Sequence, residues 1–130
     1  MNGITFKQVD KQLTKGLLDL IVLGMLKSNS MHGYGIITSI RKNFGIYFGP
    51  STIYPFLKNL EEKGYIKSQW DMNHDRPRKV FSITHQGTDL LTGTEQSFRS
   101  ICLQLNTMGI RGPASFIQNQ RPNKINSMGV

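Results

Sequence analysis

The sequence predicts a mainly α fold that carries one small β-hairpin. Three observations lead there. Apolar residues recur at three- and four-residue intervals in four segments between residues 14 and 108, two short stretches at 66–70 and 79–83 alternate apolar with polar instead, and a basic turn joins those two stretches. At 130 residues the chain has the length of one domain, enough to bury a modest core, and association with a second copy would add to its stability.

Residues 1–13 are polar and unpatterned and read as an N-terminal arm. Thr14 then caps a helix through Leu17, Leu18, Ile21, Val22 and Met25 to Lys27, apolar almost all round and therefore expected at the centre of the fold. Its apolar run is interrupted by Asp19 and falls short of the ~20 residues that a bilayer span requires, so no membrane partner is expected. Ser28 to Gly33 reads as a loop. The second helix, Tyr34 to Phe44, places Ile36, Ile37, Ile40 and Phe44 on one stripe, sets Arg41 and Lys42 where they suit the helix dipole, and stops at Gly45.

The third helix carries Ile53, Phe56, Leu57 and Leu60 on its inner face and ends at Gly64. Pro50 suits a first turn, whereas Pro55 deletes a backbone hydrogen bond, and this conflict predicts an irregular start between Pro50 and Thr52. A hairpin follows, Ile66–Trp70 and Lys79–Ile83, with its loop at Asn73 to Pro77. Trp70 either packs this ribbon onto the helices, the first reading, or offers a stacking platform for a planar ligand. Thr84 caps a last helix in which Leu91, Thr94, Phe98, Ile101, Leu105 and Met108 are spaced 3, 4, 3, 4, 3, a seam of the coiled-coil kind. Gly87 and Gly93 each weaken that helix by roughly 1 kcal/mol relative to alanine, so it is expected to lean on a partner surface. The domain reading is a first unit at 14–84 that holds three helices and the hairpin, a dimerisation helix at 85–109 and a disordered tail at 110–130.

The net charge of +8 favours polyanionic partners, because each cation set against a phosphate releases condensed counterions. The single cysteine, Cys102, excludes an intramolecular disulfide framework and a cysteine-rich zinc cluster, and fits a reducing cytoplasmic compartment. His32, His74 and His85 have no ligand spacing around them, and no phosphate-binding glycine loop, nucleophile elbow or carboxylate pair is present. The expectation is a protein that is not an enzyme and has no metal or cofactor.

A helix that enters the major groove must expose polar groups near its N-terminal end while its other face anchors in the core. The third helix does this with Ser51, Thr52, Tyr54, Pro55 and Lys58, and keeps Glu61 and Glu62 at the distal end. Arg76, Arg78 and Lys79, stiffened by Pro77, then form the basic tip of a wing. The order of elements is that of a winged helix-turn-helix, and its partner is double-stranded DNA with a pseudo-palindromic site, bound by a homodimer. The alternatives are a winged-helix protein-interaction module or a non-specific nucleic-acid binder.

Five linked motifs sharpen this reading: Gly16-Leu17-Leu18-Asp19-Leu20-Ile21-Val22-Leu23, His32-Gly33-Tyr34-Gly35-Ile36, Pro50-Ser51-Thr52-Ile53-Tyr54-Pro55-Phe56-Leu57, Leu60-Glu61-Glu62-Lys63-Gly64-Tyr65-Ile66 and Arg78-Lys79-Val80-Phe81-Ser82-Ile83-Thr84. Together, over residues 15–90, they resemble the PadR-type transcriptional regulators. The resemblance implies a winged-helix DNA-binding domain, a C-terminal helix that builds a homodimer, and repression of nearby genes relieved by a small aromatic or cationic effector. By position it puts Ser51 to Pro55 at the start of the recognition helix, Arg78 and Lys79 in the wing, and Tyr34 at the opening of the second helix, where it either touches a phosphate or packs. Gly49 stands where such proteins often have serine, and only one helix follows the wing.

Overall fold

Thr5 and Gln8 open the first helix by capping each other. The Gln8 amide donates to Thr5 Oγ1 at 3.1 Å and the Thr5 amide donates to Gln8 Oε1 at 2.8 Å, a capping box that starts α1 (Phe6–Gly16). The stretch expected as an arm is thus helical in the computed structural model, which describes residues 5–73 and 75–111. Thr14 is not a cap. It lies buried inside α1 and its hydroxyl donates to the Asp10 carbonyl at 2.6 Å.

Leu17 is the junction to α2 (Leu18–Ser28), which buries Leu18, Val22, Leu23 and Leu26 and sits at the centre of the core as its all-round apolarity predicts. β1 (Met31–His32) follows where a loop was expected. Two residues have no readable period, and these become a strand only by pairing with β3 (Arg78–Ile83), Met31 opposite Phe81 and His32 opposite Val80. The hydroxyls of Ser30 and Ser82 meet at 2.7 Å beside this pairing.

α3 (Gly33–Phe44) buries Ile36, Ile37 and Ile40 and stops at Gly45, whose φ of 69° lets its amide reach the Arg41 carbonyl at 2.9 Å. α4 (Pro50–Glu62) buries Ile53, Leu57 and Leu60 against the same core. Its end is a Schellman motif: Gly64 at φ 84°, the Tyr65 amide on the Leu60 carbonyl and the Gly64 amide on the Glu61 carbonyl, both at 3.0 Å. β2 (Ile66–Asp71) then runs antiparallel to β3, and the sheet order β1-β3-β2 makes three strands where two were expected.

Thr84 caps α5 (His85–Thr107) as expected, accepting the Gly87 amide at 3.1 Å while its own hydroxyl donates to the Gly64 carbonyl at 2.6 Å. The chain falls into two units, residues 1–92 and 93–130, with the boundary inside α5. In the first, Leu91 is 2% exposed and belongs to the core, so it is removed from the expected dimer seam. In the second, Ile101, Leu105 and Met108 are exposed, Thr94 and Phe98 are half-buried, and Gly109 at φ 88° closes the last turn with the Ile110 amide on the Leu105 carbonyl. From residue 112 onward the expected tail lies outside the described residues. No described helix is long and apolar enough to cross a membrane.

The two glycines of α5 differ in kind. A Cβ at Gly87 would come within 2.0 Å of the Tyr65 carbonyl oxygen, a backbone atom held by the wing, whereas a Cβ at Gly93 would meet nothing within 4 Å. Gly87 therefore permits a close approach, which corrects the expectation that it only weakens the helix. Gly87→Ala should destabilise the protein by at least about 2 kcal/mol through forced overpacking. Gly93→Ala should instead stabilise it by roughly 0.5–1 kcal/mol, and thermal unfolding of the two variants checks both signs.

Candidate nucleic-acid interface

Gly49 begins α4 in extended conformation with no side-chain cap, and the amides of Thr52 and Ile53 both donate to its carbonyl, at 3.0 and 2.9 Å. A Cβ there would lie 3.1 Å from the Tyr47 hydroxyl oxygen, so the exposed Tyr47 ring takes the room a capping serine would use. The expected irregularity is confined to this first turn, because α4 runs unbroken from Pro50 to Glu62 with Pro55 inside it. Pro55 has no N–H to donate to the Ser51 carbonyl, and both residues face solvent, where water can satisfy that oxygen.

Spacings of four and three residues put Ser51, Pro55 and Lys58 on one exposed line, with Thr52 half-buried beside it. Tyr54, 43% exposed, leans from this line towards α3. A Cβ at Gly33 would meet Tyr54 Cε1 at 2.5 Å, so the ring lies flush against the first residue of α3. That contact brings the start of α3 to the outer face of α4. Tyr34, next along, is 67% exposed and not packed in the core, which removes the packing alternative for it.

Strand register sorts the wing. Pairs Ile66/Ile83, Ser68/Phe81 and Trp70/Lys79 share one face, and Lys67/Ser82, Gln69/Val80 and Asp71/Arg78 share the other. The cations read from the sequence as one cluster are thereby divided: Lys79 stands on the face that holds buried Phe81, and Arg78 stands opposite Asp71 on the reverse. Arg76 is exposed in the connecting loop. On the reverse face His32 Nε2 lies 3.5 Å from Asp71 Oδ2, a contact that becomes an ion pair when the imidazole is protonated and that ties β1 to the outer end of β2.

Ser68 donates to Glu61 Oε2 at 2.7 Å and fixes the wing to the distal part of α4. Between them runs an open groove of about 530 Å³ lined by Tyr54, Lys58, Glu61, Glu62, Lys79 and Phe81. Lys58 and Lys79, from different elements, share this groove, which is how a helix and a ribbon can grip one polyanion. The acidic pair lines it too, rather than standing clear.

The sequence reading left Trp70 open between two roles and missed a contribution of Gly33 altogether. Trp70 does not pack the ribbon onto the helices: it is 60% exposed, with Lys79 Nζ 5.7 Å from its ring centroid. Gly33 matters by the absence of a side chain, and only the partner ring makes that visible. Counting strand register from Thr84 would have placed Trp70 beside Lys79. Nothing local would have placed Tyr54 on Gly33. Among the described residues no group of three or more His, Cys, Asp or Glu is arranged to hold a metal ion.

Comparison with known proteins agrees with this fold. The chain is similar to a PadR family transcriptional regulator from Eggerthella lenta, 29% identical with a TM-score of 0.70 over 75% of this chain and 85% of that one. It is also similar to Bacillus subtilis PadR, solved in complex with operator DNA, 26% identical with a TM-score of 0.55 over 59% of this chain and 44% of that one. Among curated proteins it resembles the transcriptional activator GvpE of Haloferax mediterranei, 26% identical over 114 residues, which are 86% of this chain but only 57% of that protein. The model of the transcriptional regulator PadR-like family matches residues 22–93, which run from the middle of α2 through the wing into α5, and the chain belongs to that family of transcriptional regulators.

Proposed function

We propose that the protein is a sequence-specific repressor that binds a pseudo-palindromic duplex site as a homodimer, one α4 in each of two successive major grooves. The observation that carries this is the exposed line Ser51, Pro55, Lys58 with Tyr54 alongside, set across a groove from Lys79 of the wing. A relative solved on operator DNA supports the same use of the fold. Two-fold symmetry asks for half-sites about 34 Å apart, or a multiple of that. Occlusion of a promoter needs only this binding surface, which favours repression. The activator GvpE favours the opposite sign, and a reporter fused downstream of the bound site separates the two.

The pairing surface is the seam of α5 without Leu91, namely Thr94, Phe98, Ile101, Leu105 and Met108. Its support is the exposure of large apolar residues along the last turns, Ile101 at 57% among them. Helix α1 adds an exposed apolar stripe of its own, Phe6, Val9 and Leu13 at spacings of three and four.

Selection of duplexes from a random pool tests the reading as a whole. A two-fold symmetric motif bound about a thousandfold or more tighter than random duplex is expected. A steep salt dependence with no sequence preference would point to the non-specific alternative. Tyr54→Ala and Lys58→Ala should each weaken the selected duplex by about tenfold with unfolding unchanged, as checked by fluorescence anisotropy and thermal melting. Gly33→Ala should reach a similar loss with every DNA-facing residue retained, because its new Cβ displaces the Tyr54 ring. Ile101→Asp, at a position already exposed in the single chain, should give folded monomers in sedimentation, since the carboxylate would be buried only on pairing.

A further inference from the structure

We propose that Trp70 is a DNA-contacting residue of the wing and the positioning residue for Lys79. This rests on the reading of α4 and the wing as the duplex-binding surface. Trp70 and Lys79 are direct cross-strand partners, and the ammonium sits 5.7 Å from the ring centroid. A lysine stem otherwise samples many rotamers, so a ring that holds the ammonium in one place removes part of the entropy lost when it meets a phosphate.

The rest of the ring faces water. Trp70 is joined there by Met72, 68% exposed, and continuing the register places Pro77 opposite Met72. A large apolar surface left in water at the end of a ribbon marks a contact site. The flanking groups choose the partner. Lys79 is the charge set against the ring, it shares its groove with Lys58 as well as Glu61 and Glu62, and exposed Arg76 lies in the adjoining loop, so the charge in contact with the patch is a cation. A second copy docked on the same patch by a two-fold would set Lys79 against Lys79, whereas a duplex supplies phosphates to the cations and a sugar or base face to the ring. The occupant is duplex DNA flanking the α4 contacts.

The chain has one tryptophan, so its emission reports on this position alone. The probe is the duplex selected by the full-length wild-type protein from a random pool. Its binding should shift or quench Trp70 emission and shield the ring from acrylamide. Trp70→Ala should weaken binding about tenfold and flatten the salt dependence by about one phosphate contact, matching Lys79→Ala in slope, while Trp70→Phe restores most of both. The double variant Trp70→Ala, Lys79→Ala should lose less than the sum of the two singles. Unchanged emission in a complex that anisotropy shows to be saturated, or a Trp70→Ala variant with wild-type affinity and slope, overturns this proposal and leaves the DNA-binding reading standing. A wild-type protein that binds no duplex overturns both.

Discussion

Thr84 is where the structure is tied together, because it follows β3 directly and its hydroxyl and backbone hydrogen-bond to the end of α4, the start of β2 and the first turn of α5. Its Oγ1 donates to the carbonyl of Gly64, at the end of α4, and accepts the amide of Gly87, in the first turn of α5. Its amide donates to the Tyr65 carbonyl at 3.1 Å, just before β2, and its carbonyl accepts the Thr88 amide at 2.9 Å. Helix α4, both strands of the wing and the last helix therefore converge on one residue. Their separation there is set by a backbone contact that tolerates no Cβ at Gly87. Moving any one of them would unmake hydrogen bonds of the others, and buried polar groups left unpaired are costly.

The candidate interface inherits its geometry from that junction. With the base of the ribbon anchored, strand alternation alone dictates that Lys79 faces the α4 groove and Arg78 faces away, beside Asp71. The wing is consequently two-sided in charge: a cation with an aromatic on one side, an arginine opposite a carboxylate on the other. Net charge by itself cannot express this, since +8 counts cations without regard to direction.

Much of the fold was legible because it is written in local patterns. The α3 and α4 stripes, apart from Phe44, which is exposed at the end of α3, the glycine stops at Gly45 and Gly64 and the Thr84 cap each depend on a few neighbouring residues, and each is where periodicity and capping place it. Helix α1 was missed although Thr5 and Gln8 have capping-box spacing, because Phe6, Val9 and Leu13 are the only large apolar residues among its eleven and make too sparse a stripe to read as a core face. β1, the Leu91 assignment, the Tyr54 contact with Gly33 and the exposure of Trp70 were not legible for one shared reason. Each is decided by what lies opposite in space, and a spacing rule says which residues share a face without saying what covers it.

The shortness of β1 has its own outcome for assembly. A strand of two residues exposes too few backbone groups on its outer side to template a further strand, and the opposite edge, β2, carries exposed Lys67 and Gln69. The ribbon is thus poorly suited to edge-to-edge pairing with another molecule. Any pairing of copies would therefore have to draw on side-chain surfaces such as the exposed stripe of α1, not on the backbone edges of the sheet.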